Sequence, residues 1–301
     1  MYKDLKQTVN SRAEASNMTI DKLVKNLESC ELCPRKCRVN RLRGERGFCR
    51  SGNELVISNY GPHFGEEPEL VGSRGSGTVF LTNCNLQCVY CQNYDISQLG
   101  YGVEVSIDDA SSIMLSLQER GCHNINLVTP THFAPQLVHA IVAARSMGLK
   151  IPIVWNCGGY ENVEVIRLLE GVVDIYMPDI KYSKGEPAER YSNAPDYFDR
   201  SKEAVVEMQR QVGDLKVDGR GVAYRGLLIR HLVLPNSLAG SDKILKFIAD
   251  EVSKDCYVNI MAQYRPWGKA YDYEELSRWP TRSECLRVVD YARKLGLYRG
   301  F

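Results

Sequence analysis

The sequence has almost no net charge. Its 38 lysines and arginines face 37 aspartates and glutamates, a formal +1, which removes the bulk attraction on which non-specific DNA or RNA binding depends. It also has no apolar run near the roughly 18 residues that a membrane helix needs. The opening Met1-Tyr2-Lys3-Asp4-Leu5-Lys6-Gln7 has no apolar stretch of the signal-peptide kind. Neither a membrane nor a nucleic acid is therefore an expected partner. Low-complexity tracts are missing too, and 44% hydrophobic with 25% charged residues excludes disorder as the dominant state.

Cysteine is plentiful, at 11 of 301 residues. An odd count without a secretion signal points to a reducing, cytoplasmic compartment, in which thiols gather for metal rather than for disulfides. Seven fall into two tight groups, Cys30, Cys33, Cys37 and Cys49, then Cys84, Cys88 and Cys91. Cys122, Cys256 and Cys285 read as small buried hydrophobes; Cys157 reads the same way, or as facing a pocket.

From Thr78 onward, short β-like runs alternate with helix-period stretches. Thr78–Leu81 precedes Ile107–Arg120, Ile125–Val128 precedes Pro135–Met147, and Ile151–Trp155 precedes Val163–Glu170. Val173–Met177, a helical Ser201–Val212, Leu227–Leu234, Lys243–Val252, Tyr257–Met261 and a helical Arg282–Leu295 complete the series. Upstream, apolar Ile20, Leu23, Val24 and Leu27 predict a helix that docks on something, and the Gly- and Pro-rich Gly52–Gly77 reads as a connecting hairpin or loop layer. This alternation implies an α/β fold with a parallel sheet and right-handed crossovers. Six units allow an open doubly wound sheet or a partial (β/α)6 barrel, with the ligand site at the carboxyl ends of the strands in either case. Length divides into a cysteine-rich cap and connecting loops over 1–75 and a barrel with a C-terminal helix over 76–301.

Cys84-Asn-Leu-Gln-Cys88-Val-Tyr-Cys91 is the most informative segment. Three thiolates within eight residues can wrap one compact inorganic cluster and leave its fourth iron open. A structural zinc would want a fourth protein ligand, and no nearby residue supplies one. A Cys-x3-Cys-x-aromatic-Cys just after the first barrel strand resembles the motif of the radical S-adenosylmethionine enzymes. The longer Cys88-Val89-Tyr90-Cys91-Gln92-Asn93-Tyr94-Asp95, with the N-terminal Cys-Glu-Leu-Cys-Pro-Arg-Lys-Cys, is similar to the activase-related group around pyruvate formate-lyase activating enzyme, whose substrates are unsettled.

The resemblance implies a TIM-like partial barrel of the radical SAM type. It implies a [4Fe–4S] cluster on Cys84, Cys88 and Cys91, with S-adenosylmethionine chelating the open iron. The implied reaction is one-electron cleavage of the sulfonium to methionine and a 5′-deoxyadenosyl radical that abstracts hydrogen. It further implies an oxidoreductase that takes electrons from a low-potential donor such as flavodoxin or ferredoxin and has a glycyl-radical enzyme as protein substrate. Tyr90 then shields the cluster beside the adenine. Asn156, Met177 and Asp179 sit by the methionine carboxylate with Lys181 as its counter-charge, while Arg230, Gln263, Tyr264 and Arg265 face the adenosine.

The family's Gly-Gly-Glu after the second strand, which receives the cofactor's amino group, is missing. Thr129-Pro130-Thr131-His132 stands in its place, and its hydroxyls and carbonyls are the substitute acceptors. His132 is also a candidate proton donor to substrate. Radical modification of another peptide or small molecule is the alternative chemistry, and a non-catalytic metal-binding redox sensor the alternative of another class.

Cys30-x2-Cys33-x3-Cys37-x11-Cys49 offers four thiolates, enough for zinc or for a complete auxiliary [4Fe–4S] cluster, and spacing does not choose between them. Seven basic residues lie between Arg35 and Arg50 against Glu45 alone, read as solvated arginines or a surface for an acidic partner. His63-Phe64-Gly65-Glu66-Glu67-Pro68 reads as a solvated connector whose His and carboxylates are able to ligate or orient something.

Overall fold

The computed structural model describes residues 18–301; the opening Met1–Gln7 lies outside them. In chain order the strands are β1 (Leu55–His63), β2 (Ser76–Leu81), β3 (Val103–Val105), β4 (Ile125–Val128), β5 (Ile153–Cys157), β6 (Ile175–Pro178), β7 (Lys216–Val217), β8 (Ala223–Leu232) and β9 (Tyr257–Met261). The helices are α1 (residues 18–25), α2 (Pro68–Val71), α3 (Tyr94–Ser97), α4 (Ile107–Glu119), α5 (Ala134–Ser146), α6 (Val163–Leu168), α7 (Gly185–Ser192), α8 (Tyr197–Val212), α9 (Ser241–Phe247) and α10 (Arg282–Lys294).

The six apolar runs become parallel strands that pair in sequence order, β2 to β4, β4 to β5, β5 to β6, β6 to β8 and β8 to β9. Among the strands of the described residues β9 pairs with β8 alone, with one further bridge from Tyr257 to Arg299, so no strand closes the sheet into a full barrel.

Period-two alternation sorts the strand side chains into two layers. Val79, Leu81, Ile125, Leu127, Ile153, Trp155, Leu227, Ile229 and Val258 belong to the main apolar core, where they pack with α4, α5 and α8. The opposite faces of β5, β6, β8 and β9 form a small plug, in which Val154, Ile175, Met177, Leu228 and Tyr257 meet Leu70 of α2. Above that plug, at the carboxyl ends, the inward residues turn polar. The predicted lead helix is α1, and Leu23 and Leu27 join the main core. No helix of the described residues is long and apolar enough to cross a membrane.

Three features depart from the expected pattern. Of the two readings of Gly52–Gly77, the hairpin holds and the loop layer does not, and the segment also takes on a third strand. It contributes β1, a nine-residue strand antiparallel to both β2 and β3. After β1 the chain crosses toward β9, where Glu67 accepts Asn259 Nδ2 at 2.9 Å and Tyr257 donates to Glu69 at 2.6 Å. Glu67 is buried and Glu66 half-buried rather than solvated: the Glu66 side chain is 8% exposed and Glu67 5% exposed. Finally, α7 precedes α8, which starts four residues earlier than its apolar periodicity indicates.

Candidate functional site

The Cys84–Cys91 loop leaves β2 and turns twice through left-handed backbone, at Asn83 (φ 65°) and Gln87 (φ 53°). Every sulfur of the triad accepts a hydrogen bond. Leu86 N–H donates to Cys84 Sγ at 3.3 Å, the Ser97 hydroxyl to Cys91 Sγ at 3.2 Å and the Ser192 hydroxyl to Cys88 Sγ at 3.0 Å. Burial, with the Cys88 thiol beside it, pushes Cys84 up to about 12. Such a set of neighbouring thiols, Cys88 buried and Cys84 and Cys91 partly so, with donors already aimed at the sulfurs, fits a cationic metal group placed between them. Cys157 packs in the main apolar core and also borders the cavity. The donor set therefore fits a cluster held at three corners.

All three cysteines line one cavity of about 240 Å³ at the carboxyl ends of the parallel strands. Tyr90, Thr129, Asn156, Asp179, Lys181 and Arg230 share that cavity with Gln263 and Tyr264. Tyr90 and Tyr264 meet edge to face, centroids 5.6 Å apart, and form an apolar wall beside the triad. Asp179 anchors a charged row. Its Oδ2 lies 2.5 Å from Lys181 Nζ and its Oδ1 2.8 Å from Arg230 Nε, while Arg230 Nη2 donates to Asn156 Oδ1 at 2.7 Å. Burial alone raises the Asp179 carboxyl, but Arg230 and Lys181 outweigh it and hold it below its usual range. From β1's end, Glu66 reaches within 3.6 Å of Arg230 Nη1. Burial pushes the Glu66 carboxyl up, with Arg230 opposing.

The loop after β5 rests directly on the loop after β6. Gly159 (φ +77°) allows this, since a Cβ there falls 2.0 Å from the Asp179 carbonyl oxygen. Thr129 is held at φ 61° with its N–H on the Asn156 carbonyl at 2.8 Å. A β-branched residue in left-handed backbone is a costly conformation, and such outliers cluster at functional sites. It stands where the Gly-Gly-Glu is missing.

Three candidates fall outside the cavity. Met177 belongs to the plug beneath it. Arg265 points out to solvent and lies over the Trp267 ring at 5.0 Å; the alternation that turns Tyr264 inward turns its neighbour outward. His132 is 1% exposed, its Nε2 donating to the Thr82 carbonyl at 2.8 Å. Burial lowers it to about 3, so it stays neutral and donates no proton to a substrate in the cavity. In the same buried patch Thr131 donates to Glu161 at 2.7 Å, and burial raises Glu161 to about 7.

Glu161 gives a stability prediction. A carboxyl that titrates near 7 in the fold and near 4.5 when unfolded keeps its proton longer in the fold. Stability is then full below pH 4.5 and falls as pH rises to 7, by up to about 3 kcal/mol. Glu161→Gln is expected to lose that slope and to gain on the wild type across the window, read as melting temperature against pH. Parallel curves for the two proteins would contradict it.

In the cap, Cys30, Cys33 and Cys49 are buried. Burial raises the Cys33 thiol, and the thiols of Cys49, Cys30 and Cys37 raise it further. Phe48 N–H points at Cys37 Sγ at 3.4 Å. Gly47 must be glycine there, because a Cβ lies 2.7 Å from Cys37 Cβ and Sγ. Among the described residues no three His, Cys, Asp or Glu side chains converge to the spacing of a single metal ion. Two of the cap's arginines are not solvated. Arg41 is buried, donating to the carbonyls of Gly52 and, at 2.6 Å, His132. Arg35 lies 3.8 Å over the Phe48 ring and donates to the carbonyls of Asn85 at 2.9 Å, Ser192 at 2.8 Å and Asn193. The cap is thereby tied to the triad loop itself.

The sulfur donors Ser97 and Ser192 and the bridging Arg35 gave no signal in the sequence. Ser192 lies 104 residues from the cysteine it serves.

Residues 78–218 match the Radical SAM superfamily model, a span that contains the triad loop, Thr129, Asn156, Asp179 and Lys181. Uncharacterized protein MJ0674 of Methanocaldococcus jannaschii is 34% identical over 286 residues, covering 91% of this chain and 78% of that protein. Uncharacterized protein MJ0808 of the same organism is 25% identical over 310 residues, covering 94% and 82%. Two solved structures, histidine-tagged anSMEcpe with bound AdoMet and native anSMEcpe with bound AdoMet, match 65% of this chain at 13% identity, with TM-scores of 0.40 and 0.42. The match spans 53% and 56% of their own length, and a likeness of that size carries no argument.

Proposed function

Since this chain belongs to the Radical SAM superfamily, we propose that it is an enzyme that abstracts hydrogen from a substrate at the cavity bordered by Cys84, Cys88 and Cys91. The observation that carries the reading is the triad of hydrogen-bonded thiols opening on a cavity that also holds the Asp179–Lys181–Arg230 row. Cys84, Cys88 and Cys91 would hold a [4Fe–4S] cluster, which with S-adenosylmethionine would supply the reductive cleavage of the sulfonium that such abstraction needs.

The chain's own residues bind, orient and exclude water. Lys181 offers its ammonium to the cofactor's carboxylate; burial pushes the Cys88 thiol up, and the Lys181 charge opposes that rise. Arg230 ties Asp179 and Asn156 into one hydrogen-bonded row, so that the acceptors at two strand ends are preset. Thr129, with its strained main chain at the rim, is proposed to take the amino group in place of the missing Gly-Gly-Glu. Tyr90 and Tyr264 keep water from the triad side of the cavity. The test is production of 5′-deoxyadenosine by anaerobically reconstituted protein given dithionite and S-adenosylmethionine.

Activation of a glycyl-radical enzyme is the finer proposal. It rests on the Cys88–Asp95 string and its similarity to the activase group, and an anaerobic pull-down is its test. The four cap thiols are proposed as the seat of a second metal group, iron–sulfur or zinc, supported by their mutual proximity at Cys33 and the Phe48 N–H on Cys37. A variant lacking Cys84, Cys88 and Cys91 is expected to retain metal after reconstitution, and metal analysis then names it. A metal-free variant would contradict a cap site.

A further inference from the structure

The three triad sulfurs are not hydrogen-bonded alike. Cys84 takes a main-chain N–H and Cys91 a serine hydroxyl, but the hydroxyl on Cys88 has further donors behind it. Tyr90 OH lies 2.6 Å from Tyr182 OH, which lies 2.8 Å from Ser192 Oγ, which lies 3.0 Å from Cys88 Sγ. All four residues are buried. Three protons must find acceptors among three atoms, and one direction alone satisfies them all: Tyr90 donates to Tyr182, Tyr182 to Ser192 and Ser192 to Cys88.

Ser192 is held on both sides. Its own carbonyl accepts Arg35 Nη2 at 2.8 Å from the cap, and the preceding Tyr191 carbonyl accepts Val89 N–H at 2.9 Å from the triad loop. The serine's main chain therefore cannot carry the hydroxyl away from the sulfur without breaking a contact to one of the two cysteine segments.

Hydrogen bonds donated to cluster sulfurs are one of the means by which a protein sets a cluster's potential, because they favour the more negative, reduced state. In a dry site each such bond is strengthened, and bonds in series polarise one another. We propose that the buried hydroxyl chain Tyr90–Tyr182–Ser192, clamped from the cap by Arg35, sets the reduction potential of the iron–sulfur group held at Cys84, Cys88 and Cys91. This rests on the superfamily reading above and makes Ser192 and Tyr182 positioning residues rather than catalytic ones.

The experiment uses the full chain, reconstituted anaerobically, with iron and sulfide counted before a redox titration followed by electron paramagnetic resonance. At wild-type cluster content, Ser192→Ala is expected to shift the reduction equilibrium about tenfold toward the oxidised form, equivalent to about 59 mV for a one-electron couple. Tyr182→Phe leaves the Ser192 donor in place and is expected to shift it about threefold in the same direction. A merely structural serine would change cluster content, not midpoint. An unchanged midpoint in fully loaded Ser192→Ala overturns the proposal. If that variant does not hold its cluster, an unchanged midpoint in Tyr182→Phe overturns it. A wild-type chain that takes up no iron and sulfide overturns the superfamily reading, and this proposal with it.

Discussion

Cys88→Ala is expected to reduce 5′-deoxyadenosine formation to the level of a protein-free control, and to lower bound iron by the share of one cluster, about four atoms. The size of the effect follows from the site. Two remaining thiolates hold a cubic cluster at two corners, and the loss also strands the Ser192 hydroxyl that faces the missing sulfur. Cys30→Ala, by contrast, is expected to keep turnover, because its thiol belongs to the cap group around Cys33 and none of the four cap cysteines lines the cavity. Anaerobic turnover with iron analysis of both variants checks this. Wild-type product from fully loaded Cys88→Ala would contradict the ligand assignment.

Arg230→Met is the second large effect. Arg230 binds Asp179 at 2.8 Å and Asn156 at 2.7 Å, with Glu66 at 3.6 Å, all largely out of water. Removing one partner of a buried ionic network leaves uncompensated charge, at a cost of about 3–5 kcal/mol. Part of that cost is avoidable through protonation. Asp179 keeps Lys181, whereas Glu66 loses Arg230 and keeps only His63 Nδ1 at 3.3 Å, so its carboxyl, already raised by burial, rises further. A group with a raised folded-state pKa stabilises at low pH and loses that contribution as pH rises. The deficit of Arg230→Met is therefore expected to be larger at pH 8 than at pH 5, read as melting temperature against wild type. Binding of S-adenosylmethionine, followed by equilibrium dialysis, is expected to fall as well, since Asp179 and Asn156 lose the group that aligns them. A variant as stable as wild type at pH 8 would contradict the network.

The β/α rhythm and the triad were legible in the sequence because both are local. Strand runs such as Ile125–Val128 and Ile151–Trp155 end in the residues that line or border the cavity, and three cysteines in eight residues need no tertiary information. What stayed hidden is what long-range packing decides. By composition Gly52–Gly77 reads as hairpin or loop; the backbone of Asn59-Tyr60-Gly61-Pro62 pairs with β2 because that edge is otherwise unpaired. The glutamates of His63–Pro68 read as solvated; the barrel's unclosed side draws them in, where Arg230 and Asn259 receive them. Gly185 and Pro187 hide α7, although Pro near a helix start is favourable. His132 and Arg265 follow a polar stretch into the site by sequence position, but main-chain direction sends one into the core and the other to solvent. Ser192 reaches Cys88 only because α7 ends against the triad loop.

The most direct test of the account is a single-turnover measurement on the wild-type chain, reconstituted to full cluster content, reduced with dithionite and given S-adenosylmethionine without substrate. A radical SAM enzyme yields 5′-deoxyadenosine and methionine in equal amounts, lost in Cys88→Ala. A fully loaded, reduced cluster that yields no 5′-deoxyadenosine would contradict it and leave a metal-binding protein without turnover.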